Sequence, residues 1–348
     1  MDENVRQVTL ALQGTLQQDP NVRKQAEHCI WEFEKASGFA SLLLQLVCSD
    51  KTAPEIRMAA AVTLKNFIKK NWDEAPEVDV SAEEEEQIRN SILQAMFLTS
   101  GTLQSQLSHA VHLMAKRDFP SRWPSLVPSL VEHLKVDDLN RLVAALSAMD
   151  QLFKKFRYES KSTSLWTELK SCLLTVQEPL TQVYAKMIEF IPQRSSLSSE
   201  SLIQWLEILC LVCKVFHSLC FQDLPEYFED NLKPWVEGFL EIMKMDCPGV
   251  SSSGGEPTFI DELKMEVCEI FTLYAQRFEE EINPFMQNII QAVWQLVVQT
   301  GSETRFDGMG VLQTIAQDVC VKNLHLRQED LEMFEDEPIE YLKRDIEG

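Results

Sequence analysis

Glycine is scarce, at 11 of 348 residues, and none of the glycine spacings that cradle phosphate occurs. There is no G-x-x-x-x-G-K-[ST] loop and no G-x-G-x-x-G turn, which removes the common nucleotide-binding devices. A G-x-S-x-G elbow and an H-E-x-x-H helix are missing too, and the six histidines have no acid at a spacing suited to general base work. No catalytic residue, metal ligand set or cofactor site is expected, and the reading is of a protein that is not an enzyme. Positive charge is also short: 32 Lys and Arg stand against 54 Asp and Glu, a net charge of −22. Nucleic acid and anionic membrane both demand clustered cations, so neither is expected as a partner; a basic protein face is. Uninterrupted apolar runs never reach the ~18 residues of a membrane span, so no membrane insertion is expected. The nine cysteines are odd in number and irregularly spaced, which argues against a disulfide framework and for a reducing compartment. The N-terminus lacks the basic and apolar regions of a secretory signal.

Period-two alternation is rare, whereas apolar residues return at helical spacing from end to end. Helices are expected over 4–17, 21–34, 39–47, 56–72, 87–99 and 102–116, then over 139–156, 165–190, 202–219, 227–245, 260–278, 284–298 and 311–321. In the fourth, Ile56, Ala60, Leu64, Phe67 and Ile68 form one apolar stripe, while Lys65, Asn66, Lys69, Lys70 and Asn71 make a basic polar edge. An acidic loop is expected over 73–86, and polar loops over 192–199 and 247–257. In FPSRWPSL, Pro120 ends one helix, Pro124 suits the first turn of the next, and Phe119 and Trp123 fold inward as a corner. Helix pairs recurring every ~40 to 50 residues predict an all-α fold, a HEAT-repeat α-solenoid, with a large compact helical domain as the competing architecture. Its expected divisions are 1–102, 103–323 and an acidic segment, 324–348, holding nine Asp and Glu against three Lys and Arg.

Cys210, Cys213, His217 and Cys220 carry ligand chemistry, but all four lie on one expected helix. Zinc takes its ligands tetrahedrally, and one straight helix aims at most two of them at an ion. They read as core residues.

Two stretches resemble a known family. RKQAEHCIWEF (23–33) followed by RMAAAVTLKNFIKKNW (57–72) is similar to the N-terminal signature of the importin-β, or karyopherin-β, transport receptors. RDFPSRWPSL (117–126) resembles a corner shared by several receptors of this class, and RYESKSTSLWTELK, FQDLPEYFEDN, LYAQRFEEE and FEDEPIEYLKRDIEG narrow the resemblance to an exporting branch of the family. The resemblance implies a HEAT solenoid that binds Ran-GTP and importin-α, shuttles between nucleus and cytoplasm, and meets nucleoporins on the way. By position it places Ran on Arg23, Glu27, Lys65, Asn66, Lys69, Lys70, Asn71 and Asp118. It also implies two departures: members of that branch run on past RDIEG, making this a truncated form, and they carry about one further helix and loop near residue 308. A Ran-regulated import receptor for other cargo, or a helical scaffold outside transport, is the alternative.

Overall fold

A computed structural model describes residues 3–73, 75–135, 138–247, 258–299 and 309–316, divided between two compact units, Met1–Asp223 and Leu224–Gly348. Among the described residues every regular element is helical.

The first unit begins with three antiparallel pairs: α1 (Glu3–Thr15) with α2 (Pro20–Glu34), α3 (Phe39–Cys48) with α4 (Pro54–Asn71), and α5 (Ala82–Leu98) with α6 (Gly101–Asp118). Local chemistry sets their ends. Asp19 caps α2 through the Asn21 amide, and Pro20 and Pro54 open α2 and α4 where a missing N–H costs nothing. Glu55 in the first turn of α4 and Lys69 and Lys70 in its last complement the helix dipole. Gly38 holds a left-handed φ of 86° ahead of α3, and its N–H, with the Ser37 hydroxyl, donates to the Glu84 carboxylate on α5.

Next come α7 (Leu126–Glu132), α8 (Leu139–Phe153), the short α9 (Lys155–Tyr158), α10 (Thr163–Glu189) and α11 (Ser199–Cys220). One row of neighbours runs α4, α6, α8, α11; α3 lies on α5, and α7 on α10. Gln104 of α6 donates to the Asn140 carbonyl, and Gln204 of α11 to the Asn140 side-chain oxygen at 2.8 Å, which ties the α6–α8–α11 row at one end. The apolar stripe of α4 is wholly buried, with Leu64 and Ile68 at zero exposure. By composition and length α11 could cross a membrane, but 67% of its apolar window is buried inside the protein. Cys210, Cys213 and Cys220 are part of that buried face.

In the second unit α12 (Glu226–Asp230) leads into α13 (Leu232–Lys244), which packs on α14 (Phe259–Arg277) and α16 (Met286–Gln299), with α15 (Glu279–Ile282) after α14. Phe228, Trp235, Phe239 and Phe271 touch in series, centroids 5.8 to 6.1 Å apart, and form its aromatic centre. Residues 309–316 are helical.

Several expectations are corrected. The acidic run Glu83–Glu86 opens α5 rather than sitting in a loop, because Ser81 caps the helix and carboxylates favour its positive end. The helix expected over 227–245 breaks at Asn231, and Pro234 falls in the first turn of the new helix. Residues 191–196 form a 3₁₀ turn instead of an open loop. Trp123 is buried as expected, but α7 starts at Leu126, so Pro124 precedes it. The break near 308, the loop residues 248–257, the helix end 317–321 and the acidic segment 324–348 lie outside the described residues.

Candidate functional site

Helices α2 and α4 flank a groove of about 1140 Å³. Its apolar lining comes from Ile30 and Trp31 on one side and Met58, Ala59 and Val62 on the other. These α4 residues are the face opposite the buried stripe, so one helix presents apolar side chains both to the core and to the groove. Trp31 is 46% exposed, stacks on His28 and carries the Lys35 ammonium 3.2 Å above its ring. The α2 wall adds Glu27 and Glu34, and the α4 wall adds Asn66, Lys69 and Lys70. One ion pair crosses the groove: Lys70 Nζ lies 3.3 Å from the largely buried Glu34 carboxylate.

The eight residues expected to meet a partner therefore separate. Glu27, Asn66, Lys69 and Lys70 share the groove. Lys65 turns to the other edge of α4 and donates to Gln106 of α6 at 2.7 Å. Arg23 donates to the carbonyls of Gln17 and Gln18, closing the end of α1. Asn71 and Asp118 are corrected: at 2% and 0% exposure neither can touch a partner. The Asn71 side chain donates to the Phe67 carbonyl and accepts from the Val78 amide, pinning the loop after α4. Asp118 accepts from Trp72, Arg89 and Arg117, and Glu85 holds the same two arginines. Burial alone would raise the Asp118 carboxyl, but hydrogen bonds from Arg117, Trp72 and Arg89 outweigh it and hold the pKa below the ordinary carboxylate value.

Periodicity missed Trp31, Met58 and Val62, because a groove arises where two helices fail to close on each other. The one available signal was the surplus of apolar residues on α4, enough for two faces.

The Cse1 family model matches residues 152–311 and 306–348, and the importin-β N-terminal domain model matches 26–97. The chain belongs to the Cse1 family. It is 34% identical to exportin-2 of Drosophila melanogaster and 32% identical to exportin-2 of Homo sapiens, in both cases over the whole chain and 38% of the relative. The solved structure described as the exportin Cse1 in its cargo-free, cytoplasmic state superposes with a TM-score of 0.82 at 26% identity, over 99% of this chain and 40% of that one. The fold is thus the all-α HEAT-repeat type of that family, whose named members are nuclear transport receptors.

The chain spans 38% of the length of these relatives. Alignment to the fly protein runs over 376 positions against the chain's 348 residues, a difference of 28, and the two stretches of the Cse1 match meet at 306–311. The importin-β N-terminal match takes in both walls of the groove, from Glu27 to Lys70.

Proposed function

We propose that this chain acts as part of a Ran-regulated nuclear export receptor of the exportin-2 type, which takes importin-α out of the nucleus and returns by shuttling through nucleoporins. Ran-GTP is placed on the α2–α4 groove and the adjoining edge of α6. The observation that carries the reading is the position of Asn66, Lys69 and Lys70 on an open wall, inside the segment that matches the importin-β N-terminal domain. Glu27 opposite them adds an acceptor. Asn71 and Asp118 enter as supports of that wall, and Arg23 fixes the α1–α2 corner beside it. No catalysis is involved: affinity for cargo is switched by a GTPase supplied in trans.

The test is binding to Ran loaded with GTP or with GDP, with importin-α present and absent. The reading expects preference for the GTP form and mutual strengthening by importin-α. Equal binding to both nucleotide forms overturns it, and cargo displaced by Ran-GTP would mark an import receptor. Charge reversal of Lys69 and Lys70 to Glu should weaken Ran binding by at least tenfold, each close charge contact at an interface contributing ~1.5 kcal/mol or more.

A further inference from the structure

The opposite edge of α4 carries a second feature. Lys65 and Lys69 are spaced i, i+4 on α4, and His109, His112 and Lys116 are spaced i, i+3, i+7 on α6. Each set shares one helix face, and α4 packs on α6 and α6 on α8, where Lys154 at the end of α8 is already paired with Asp150 at 3.3 Å. The groups feel one another. Burial first, then Lys65, Lys116 and Lys69, lower the His109 pKa. Burial, followed by Lys116 and His109, brings His112 down to about 4.

Several cations nearby are matched: Arg57 with Asp50, Lys70 with Glu34, Lys154 with Asp150, and Arg89 and Arg117 with Glu85 and Asp118. Among the described residues, Lys65, Lys69 and Lys116 have no carboxylate within ion-pair range, and Lys65 meets only the neutral Gln106 amide. A chain with 54 acidic residues did not lack carboxylates to place there. Like charges packed on adjoining turns cost stability, so the matching negative groups come from outside. The unmatched lysines cover a few helical turns on two helices, which suits about three carboxylates rather than a long polyanion. A nucleic acid would meet net repulsion from a protein of charge −22. The row also runs into the groove, since Lys69 lines it beside Met58 and Val62.

We infer that the α4–α6 face docks an acidic polypeptide segment of a protein partner, with one apolar side chain of that segment seated in the groove next to Lys69. Lys65, Lys69 and Lys116 supply the attraction, and Trp31 and Val62 supply the apolar seat. The inference shares α4 with the Ran reading but does not rest on it.

The test uses the full chain and a labelled twelve-residue glutamate-rich peptide with one phenylalanine, read by fluorescence anisotropy. The same peptide with Lys for Glu and a twelve-nucleotide oligo-uridine serve as comparisons. The acidic peptide should bind at low salt and weaken steeply as salt rises. Lys65→Glu/Lys69→Glu/Lys116→Glu should lose at least tenfold, with an unchanged thermal midpoint. Should that variant not fold, Lys69→Gln/Lys116→Gln should still lose several-fold. Trp31→Ala should weaken the phenylalanine peptide several-fold and leave a Phe→Ser peptide unaffected. Undiminished binding by the charge variants overturns the inference, as does equal binding of the basic peptide or tighter binding of oligo-uridine. The assay contains no Ran, so its failure leaves the Ran reading standing, and a chain that ignores Ran but binds the peptide supports this one.

Discussion

The indole Nε1 of Trp72 donates to Oδ2 of Asp118 at 2.8 Å, across 46 residues of sequence. The same oxygen accepts from Arg89 at 2.8 Å, and Oδ1 accepts from Arg117 at 2.9 Å. Arg117 in turn lies over the Trp72 ring, 4.8 Å from its centroid. The Asp118 backbone carbonyl accepts from Arg122 and Trp123, so the same residue also fixes the turn that follows. One buried carboxylate thus joins the ends of α4 and α6 to the body of α5.

Removing that carboxylate should be costly. Asp118→Ala leaves two part-buried guanidiniums with only Glu85 between them, and a loss of about 3 kcal/mol is expected, at the low end of the ~3 to 5 kcal/mol that breaking a buried charge pair costs. Denaturant unfolding measures it. The pH dependence has a definite sign. Because the folded pKa lies below the unfolded one, the contribution is present at neutral pH and drains away as pH falls from the ordinary carboxylate value of 3.8 through the lower folded value. Asp118→Asn should therefore flatten the acid limb of a stability–pH curve.

Gly14 and Ala26 set how closely α1 meets α2. A Cβ added at Gly14 would stand 2.6 Å from the Ala26 Cβ, closer than carbon atoms tolerate. Gly14→Ala should destabilise the protein by ~1 to 3 kcal/mol as an overpacked contact, despite the better helix propensity of alanine. A thermal melt decides the sign, and a gain in stability would show that α2 moves freely away from α1.

His112 should make the first unit sensitive to mild acid. Burial, then Lys116, His109 and Lys154, depress its pKa, while a bond to the Gln151 backbone works the other way, and the balance is about 4. Between the ordinary value of 6.5 and that level, the unfolded chain binds more protons than the native one. Stability therefore falls as pH drops through this window. His112→Gln should remove about 1 kcal/mol of the fall between pH 7 and 5, solvent screening at a half-exposed site being allowed for. His109, facing the same lysines, contributes in the same direction.

Asn71→Ala should cost ~1 to 3 kcal/mol by leaving the Val78 amide without its acceptor. Hydrogen exchange at Val78 should quicken, while helix α4 upstream keeps its protection. A variant that exchanges like the parent at Val78 would show that the loop does not depend on this side chain.

The helices were legible where packing demands a stripe. Ile56, Ala60, Leu64, Phe67 and Ile68 recur at helical spacing because one face must leave water, and all five are buried. Three kinds of feature escaped. The start of α5 hid inside a charge run, since periodicity sees only apolar residues and the cap at Ser81 is a single side chain. The break at Asn231 lies within a continuous apolar pattern. The burial of Asp118 and Asn71 depends on helices that are neighbours in space, not in sequence, so two polar residues on a polar edge read as surface. The groove itself was half legible: Glu27, Asn66, Lys69 and Lys70 line it, but Trp31 and Glu34 show as its lining only once α2 and α4 stand apart in space.

The ion pair between Lys70 and Glu34 stands alone across a wide groove, whereas the next junction is pinned from Trp72, Arg89 and Arg117 to one carboxylate. Mechanically these are a soft joint beside a stiff plate. A load applied to α1 and α2 would work on the groove and on the packing of α1 against α3 and α4, with α4, α5 and α6 moving as one body. Elastic energy would then collect in a place that a bound segment also occupies, so whatever fills the groove would set the stiffness of this end of the protein.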